Sequence, residues 1–309
     1  MSVAHIVPEN ERRTYLGSHD TSAISGLNPW RKPINVYMDK RGMSVPQEPT
    51  ERMRWGLSLQ PAILSEFAER MGGVALEPER FIRHPSLPWF GGTPDATIAG
   101  RKAGVDAKNV QFNRGEWGEE NTDQVPRYIL FQCHHFLALT GYEVWYVAAL
   151  FGGCELRVYE VERDAEMVEM IIDMDGEFWS ENILKEVPPE IDGSEGWKKY
   201  TERMHPKDNG LVRAATAEEL HVFQDLRLTT EQLKMYERRE EELKNLLRAS
   251  IGDDAGIDCG ELGKASYRLG KGRSTIDAEA LRFNFPEAAK SCTRIGNPSR
   301  TLRVTFKEA

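Results

Sequence analysis

The stretch AGVDAKNV, at residues 103–110, decides the expected fold, because it reads as one β-strand that carries an acid and a lysine two positions apart. Side chains alternate along an extended chain, so Asp106 and Lys108 should project from one face and Ala107 from the other. Upstream, Asp95 follows the Gly91-Gly92 turn and would bring a second carboxylate alongside. The stretch therefore predicts a strand with a polar cluster on one face.

These side chains have the chemistry of a metal-dependent site that cleaves phosphodiesters. Asp95, Asp106 and the backbone carbonyl of Ala107 would offer oxygen ligands, which Mg²⁺ and Mn²⁺ prefer. A bound ion would polarise a phosphate and lower the pKa of a bound water. Lys108 would orient that water and stabilise the charge that develops in the transition state. We therefore expect a nuclease.

The acid-x-lysine triplet alone is a weak signal. Residues 242–244, Glu-Leu-Lys, repeat it in a charged helical run, where residues two apart do not face each other. An exposed salt bridge on an edge strand would explain Asp106 and Lys108 more simply if the triplet stood by itself. The wider sequence decides between the two interpretations.

Five blocks, in order, form that wider pattern between about residue 15 and residue 179. They are GSHD to GLNPW at 17–30, RWG at 54–56, GTPD at 92–95, DAK at 106–108, and PRY at 126–128 followed by Gln132 and His134. Their order and spacing resemble the YqaJ-like phage recombinase nucleases, relatives of lambda exonuclease in the PD-(D/E)xK nuclease superfamily. The resemblance implies an α+β fold with an α/β-type PD-(D/E)xK core, in which helices flank a mixed central β-sheet.

The resemblance also assigns roles to individual residues. It implies that Asp95 and Asp106 bind the metal with the carbonyl of Ala107, that Lys108 is the catalytic lysine, and that Gln132 completes the catalytic set from the following helix. Four further positions correspond to a pocket for the 5′-phosphate of a DNA end. They are Ser18, Thr93, Arg114 and Arg13, with Arg12 as the alternative to Arg13.

One position departs from the family pattern. Relatives commonly carry a glutamate on the first core helix, where this chain has Gln60. A neutral amide there replaces an acidic contact to a metal-bound water, and Glu66, farther along the helix, is the alternative acid. The sequence leaves open whether one or two metal ions bind.

The activity that the resemblance implies is a Mg²⁺-dependent 5′→3′ exonuclease, with Mn²⁺ as a substitute. It would act on double-stranded DNA ends and leave 3′ single-stranded tails for phage-type homologous recombination by single-strand annealing. The implied partners are a single-strand annealing recombinase and further copies of the chain in a homo-oligomeric ring. Two alternatives stay open, a non-catalytic DNA-end-binding recombination scaffold and a restriction-like endonuclease.

Composition is that of an ordinary globular enzyme. The 309 residues are 40% hydrophobic, no apolar run approaches the length of a membrane span, and the first residues lack the apolar core of a secretory signal. We expect no membrane association and a cytoplasmic location, in the bacterial host if the chain is phage-encoded. The four cysteines have no CxxC spacing, which disfavours zinc and disulfides and predicts reduced, mostly buried thiols.

A net charge of −9 disfavours general binding to nucleic acid, because phosphate needs local positive charge. A basic channel inside an acidic surface would remove that objection. Its candidate lining residues are Arg31, Lys32, Arg52, Arg54, Arg101, Lys102 and Arg114.

Periodicity and turn residues predict three regions: a nuclease core at 1–185, a linker at 186–215, and a C-terminal helical and small β extension at 216–309, which would serve oligomerisation, DNA or partner contact. Helices are predicted at 20–25, 33–42, 61–71, 126–140, 164–182, 216–228, 230–248 and 277–283. Strands are predicted near 74–83, 89–98, 103–110, 143–151, 155–161, 265–269 and 301–306. We interpret His134 and His135 as partly buried, hydrogen-bonded histidines and not as metal ligands.

Overall fold

The computed structural model describes residues 8–44, 48–78, 80–111, 115–272, 274–294, 296 and 300–306. The chain divides into two compact units, residues 1–204 and residues 205–309.

The first unit contains a five-stranded sheet with helices on both faces. Its helices are α1 Glu9–Arg12, α2 Ser18–Ile24, α3 Pro33–Lys40, α4 Glu51–Arg70, α5 Arg127–Thr140, α6 Ala165–Glu177, which continues as a π-helical segment Phe178–Leu184, and α7 Glu195–Met204. Its strands are β1 Leu76–Pro78, β2 Ile82–Arg83, β3 Gly91–Gly92, β4 Ala96–Ile98, β5 Ala103–Val110, β6 Val144–Phe151 and β7 Glu155–Glu162. The predicted α+β class is confirmed.

The sheet has the strand order β1-β4-β5-β6-β7, and β2 pairs separately with β3. Neighbouring strands of the large sheet are antiparallel except β5 and β6, which are parallel. A parallel pair needs a crossover connection, and α5 provides it between these two strands. Pro126 begins this helix and Gly141, with φ of +68°, ends it, as the sequence predicts.

The two faces of the sheet are covered by different helices. On one face, α5 and α6 pack against Trp145, Val147 and Tyr159. On the other, Ile63 and Phe67 of α4 pack against alternate residues of the same strands, among them Val105, Ala148 and Val158. Asp106 therefore projects toward the α5 side, since its neighbour Val105 belongs to the α4 side.

Helix α4 begins ten residues before the start predicted after Pro61. The Thr50 side chain accepts a hydrogen bond from the Met53 N–H, which caps the helix at that point, and Pro61 lies inside it. Proline removes one helical hydrogen bond, but Ile63 and Phe67 are buried beyond it. Packing of that face against the sheet keeps the helix continuous.

The strands predicted at 74–83 and 89–98 are longer than the observed ones, since each is divided into two short strands. The predictions for β5, β6 and β7 are confirmed, with the hairpin turn at Gly152-Gly153. The alternation of side chains is easier to recognise in strands of eight residues than in strands of two or three. The long strands were therefore predicted more accurately than the short ones.

A third hydrophobic cluster joins α2, α3 and the π-helical segment, with Trp197 and Tyr200 of α7 packed against it. Helix α7 lies within the segment predicted as a linker. An added Cβ at Gly196 would lie 2.8 Å from Ile34, and the Tyr200 ring contacts Tyr37. This part of the segment therefore packs with the first unit.

The second unit contains α8 Ala217–Ile251, β8 Gly256–Asp258, β9 Lys264–Ser266, α9 Ala278–Asn284 and α10 Pro286–Cys292. The prediction of two helices at 216–228 and 230–248 was wrong, because α8 is continuous. Thr229 and Thr230 donate their hydroxyl hydrogens to the carbonyls of Asp225 and Leu226, one turn back, so neither threonine starts a new helix. The strand predicted at 301–306 is not formed.

Two further sequence-based expectations concern the whole chain. No helix in the described ranges is both long enough and apolar enough to span a membrane. Of the four free cysteines, Cys133 is buried and the other three are exposed, so the prediction of mostly buried thiols was wrong.

Candidate active site

Asp106 and Lys108 project from β5 toward α5 and meet Gln132 there. The Lys108 ammonium lies 3.1 Å from Asp106 Oδ2 and donates a hydrogen bond of 3.1 Å to Gln132 Oε1. Asp106 and Gln132 are 5% and 2% exposed, so this chain of contacts is largely shielded from water. The predicted alternation of side chains along β5 is confirmed, and the isolated surface salt bridge is excluded.

Asp95 is held beside these residues by the backbone of β5. Its Oδ2 accepts a hydrogen bond of 2.7 Å from the Ala107 N–H, one residue beyond Asp106. Strand β4, which follows Asp95, pairs antiparallel with β5 through Ala96 and Val105. Sheet pairing therefore fixes Asp95 next to the residue that carries the second carboxylate.

His19 joins this cluster from α2. Its Nδ1 lies 3.0 Å from Gln132 Nε2, which donates the hydrogen bond to the ring nitrogen. The His19 residue is exposed, but desolvation of its ring by surrounding protein atoms and the nearby Lys108 ammonium both lower its pKa. A neutral His19 is then the acceptor that orients the Gln132 amide, with its oxygen directed to Lys108.

Lys108 stays a cation at neutral pH. Burial alone would lower the pKa of its ammonium, but the charges of Asp106 and Asp95 outweigh burial and raise the pKa above the usual value. An ammonium of this kind donates hydrogen bonds and offsets negative charge, and it does not accept a proton.

Helix α2 is fixed by an ion-pair cluster next to the site. The Asp20 carboxylate lies 2.7 Å from Lys40 Nζ and 3.1 Å from Arg31 Nη1, and it accepts a hydrogen bond of 3.0 Å from the Gly17 N–H. Burial alone would raise the pKa of Asp20, but Lys40 and Arg31 hold the pKa far below its usual range. Arg31 is therefore committed to this structural cluster.

A buried polar chain connects α2, α5 and α6 behind the site. The Thr21 hydroxyl lies 2.7 Å from His135 Nδ1 and 2.5 Å from Asp175 Oδ2, and His135 Nε2 lies 3.0 Å from the Gly91 carbonyl. Thr21, His135 and Asp175 are fully buried, and burial raises the pKa of the Asp175 carboxyl. These hydrogen bonds join the helices that carry His19 and Gln132 to the segment that precedes Asp95.

Sequence reasoning missed three residues of this arrangement, although each left a signal. His19 lies inside the GSHD block at 17–20 and received no role, and Thr21 follows that block directly. Asp175 lies four residues after the buried Ile171 and three before the buried Phe178, so it is an acid on an apolar stripe. His134 and His135 are buried and hydrogen-bonded, as predicted.

The residues predicted for a 5′-phosphate pocket are only partly brought together. Ser18 is buried at the start of α2, and Thr93 is half-buried after β3. Their segments are adjacent, since an added Cβ at Gly17 would lie 3.7 Å from the Gly91 carbonyl. Arg13 forms an ion pair with Glu9 and lies against Gly42, and Arg114 lies outside the described residues.

Of the two residues considered for a second metal, only Gln60 faces the sheet. Gln60 is half-buried on the same side of α4 as Ile63 and Phe67. Glu66 is exposed on another side of the helix, where its carboxylate lies 2.9 Å from Arg70 Nε. The structure therefore gives Gln60 the inward position and places Glu66 in a surface ion pair.

The donor set at the site fits Mg²⁺ better than Zn²⁺. In the described part of the chain, no three side chains of His, Cys, Asp or Glu form a group that could hold a metal ion. Asp95 and Asp106 supply two carboxylates on adjoining segments. Mg²⁺ is commonly held by one or two carboxylates and keeps several waters, whereas Zn²⁺ takes three or four protein ligands. The residues present fit Mg²⁺.

The sequence is similar to a known protein family and to a bacterial protein. The model of the YqaJ-like viral recombinase domain family matches residues 9–143, which include Asp95, Asp106, Lys108 and Gln132. The uncharacterized protein YqaJ of Bacillus subtilis (strain 168) is 30% identical over 282 residues, which cover 90% of this chain and 87% of that protein.

Solved structures of two exonucleases are also similar. The alkaline exonuclease LHK-Exo from Laribacter hongkongensis is 15% identical with a TM-score of 0.46, over 63% of this chain and 96% of that chain. A phage related exonuclease from Haemophilus somnus 129PT is 11% identical with a TM-score of 0.44, over 58% of this chain and 99% of that chain. At these identities and TM-scores the two structures add no independent support for an activity.

Proposed function

The chain belongs to the YqaJ-like viral recombinase family, which consists of nucleases, and we propose that it is a Mg²⁺-dependent exonuclease that hydrolyses DNA from double-stranded ends. The observation that carries the proposal is the contact chain Asp106–Lys108–Gln132 beside Asp95. A binding module has no need for a protonated lysine held between a buried acid and a buried amide.

In the proposed reaction, Asp95, Asp106 and the Ala107 carbonyl would hold the metal ion. A bound ion would supply Lewis acidity toward the phosphate and lower the pKa of a water. Lys108 donates hydrogen bonds to the attacking water and to the phosphate oxygens, where negative charge builds up. Gln132 keeps the ammonium in position, and His19 keeps Gln132 in the required orientation.

The finer features of the proposal follow the family. The enzyme degrades the 5′-terminated strand and leaves a 3′ single strand for an annealing recombinase, and it encloses DNA as a homo-oligomeric ring. Ser18 and Thr93 contribute to binding of the 5′-phosphate. The adjacency of their segments supports this role, whereas Arg13 is paired with Glu9.

The test is digestion in Mg²⁺ of a linear duplex labelled separately at each 5′ and 3′ end, with covalently closed duplex as a second substrate. The wild-type protein should release the 5′ label first and leave the circle intact. Lys108→Ala should slow cleavage by roughly 100- to 1,000-fold, as loss of a transition-state donor does elsewhere. EDTA should abolish cleavage, and added Mg²⁺ should restore it.

Each other outcome leads to a different conclusion. Cutting of the closed circle would make the protein an endonuclease, and early release of the 3′ label would reverse the direction. DNA binding without cleavage by the wild-type protein would favour the recombination scaffold. Equal cleavage by Lys108→Ala and the wild type would show that Lys108 does not act in the reaction.

A further inference from the structure

An exposed tryptophan lies on a loop whose backbone is firmly held. The Trp30 residue is 65% exposed, yet its backbone N–H donates a hydrogen bond of 2.9 Å to the side chain of Asn28. The Asn28 carboxamide also accepts from the Arg31 N–H and donates to Ser22 Oγ, and it is buried. The loop is therefore a rigid support that presents a large aromatic ring to solvent.

Two other elements contribute to the same surface. The Tyr128 ring on α5 meets Trp30 edge to face, with centroids 5.4 Å apart and an interplanar angle of 84°. The Arg52 guanidinium, from the first turn of α4, lies 5.9 Å from the centroid of Trp30. We call Trp30, Tyr128 and Arg52 the aromatic platform. Three separate elements build it, so its geometry depends on the tertiary fold.

The aromatic platform borders the candidate active site. Tyr128 precedes Gln132 by one turn of α5, and residues four apart lie on one face of a helix. Trp30 follows α2, the helix that carries His19. Burial raises the pKa of Tyr128, and the positive charges of Lys108 and Arg52 oppose that rise.

The chemistry of this surface suits one kind of ligand. Unpaired nucleobases stack on exposed aromatic rings, and a nearby arginine contributes both a cation–π contact and charge for the phosphate. On the basis of the proposed nuclease activity, we infer that the aromatic platform is a stacking site for an unpaired nucleobase at the DNA end, next to the bond that is cleaved. It would hold the end open while Lys108 acts on the backbone.

The experiment uses the whole 309-residue chain with Lys108→Ala, which should cut DNA slowly enough for binding to be measured, and a duplex whose frayed terminal nucleotide is 2-aminopurine. Stacking quenches the fluorescence of this base, and anisotropy of a second label gives the dissociation constant. Trp30→Ala should abolish the quenching and weaken binding of the frayed end roughly 5- to 100-fold. Trp30→Phe should retain most of both.

Trp55→Ala is the matched control. Trp55 is 55% exposed and lies three residues after Arg52 in α4, but it is not part of the aromatic platform. Its replacement should leave quenching and affinity unchanged. Thermal melting of Trp30→Ala like that of the parent protein shows that the loop change has not unfolded the chain.

Unchanged quenching and affinity in Trp30→Ala would overturn the inference and assign the exposed ring to another ligand, such as an apolar protein segment. An equal loss in Trp55→Ala would also overturn it. Digestion of labelled duplex by the protein with Lys108 restored tests the proposed function separately. If that protein digests DNA and Trp30→Ala binds normally, only the stacking site fails. If it does not digest DNA, the proposed activity fails.

Discussion

At the scale of single residues, the position of Lys108 depends on side chains that come from outside its own strand. Gln132 accepts a hydrogen bond from the Lys108 ammonium and donates one to His19. The amide is 2% exposed, so water cannot replace either bond easily. Lys108 is therefore oriented by Gln132 of α5, and Gln132 is in turn oriented by His19 of α2.

We expect Gln132→Leu to reduce the single-turnover cleavage rate in Mg²⁺ by about 10- to 100-fold, because small displacements of a catalytic group cost rates of this size. His134→Gln is the matched control on the same helix. His134 is also buried, but it bonds the Leu130 carbonyl and the Asp164 N–H, and its replacement should leave the rate nearly unchanged. Equal rates for Gln132→Leu and wild type would contradict the orienting role.

Asp20 links the stability of the first unit to pH. Since its folded pKa lies below the unfolded value of about 3.9, its contribution to the free energy of unfolding is present above that pH. The contribution is lost as the pH falls toward the folded pKa. Asp20→Asn would also leave Lys40 without its buried counter-charge.

We expect Asp20→Asn to lower the free energy of unfolding by about 3–5 kcal/mol near neutral pH. The difference from wild type should shrink by about 1 kcal/mol at a pH of about 3. Urea denaturation followed by tryptophan fluorescence measures it, because all seven tryptophans lie within residues 1–204. A difference that grows in acid would show that the ion pairs do not stabilise α2.

At the scale of elements, β5 is placed by close packing as much as by hydrogen bonds. Gly104 pairs with Trp145 of β6, and an added Cβ at Gly104 would lie 2.3 Å from the indole ring. Trp145 is fully buried. The missing side chain lets the indole lie over the strand two residues before Asp106.

Gly104→Ala should therefore destabilise the first unit by about 1–3 kcal/mol, the usual cost of overpacking a core. It should also reduce cleavage, because the displaced strand carries Asp106 and Lys108. Gly56→Ala is the control, since an added Cβ there meets no atom within 4 Å and alanine favours the helix by about 0.5–1 kcal/mol. Denaturation and cleavage assays on both variants measure the effects, and a stable, active Gly104→Ala would show that Trp145 shifts freely.

At the scale of the whole molecule, the described site residues all lie in the first unit. Helix α7 belongs to this unit, through Gly196 and Tyr200. Glu186 also contributes, since Tyr37 donates a hydrogen bond of 2.9 Å to its carbonyl and Arg41 pairs with its carboxylate. The folding boundary that these contacts indicate is residue 204.

We expect a chain of residues 1–204 to fold and to cleave DNA in Mg²⁺. A chain of residues 1–185 should have a lower melting temperature, because it exposes the apolar surface that α7 covers. Circular dichroism melting of the two chains, with cleavage assays, measures the difference. Equal stability of the two chains would show that α7 adds nothing to the first unit, and an unfolded 1–204 chain would show that residues 205–309 are required.

By itself, the sequence determined the features that depend on neighbours along the chain. Alternation placed Asp106 and Lys108 on one face of β5, and Pro126 and Gly141 bounded α5, because strand and helix periods and caps are local properties. The tertiary structure decided the rest. It joined Gln132 to His19 and Thr21 to Asp175, and it kept α4 continuous through Pro61. Those outcomes depend on which surfaces pack together across long stretches of chain, and no local pattern encodes that choice.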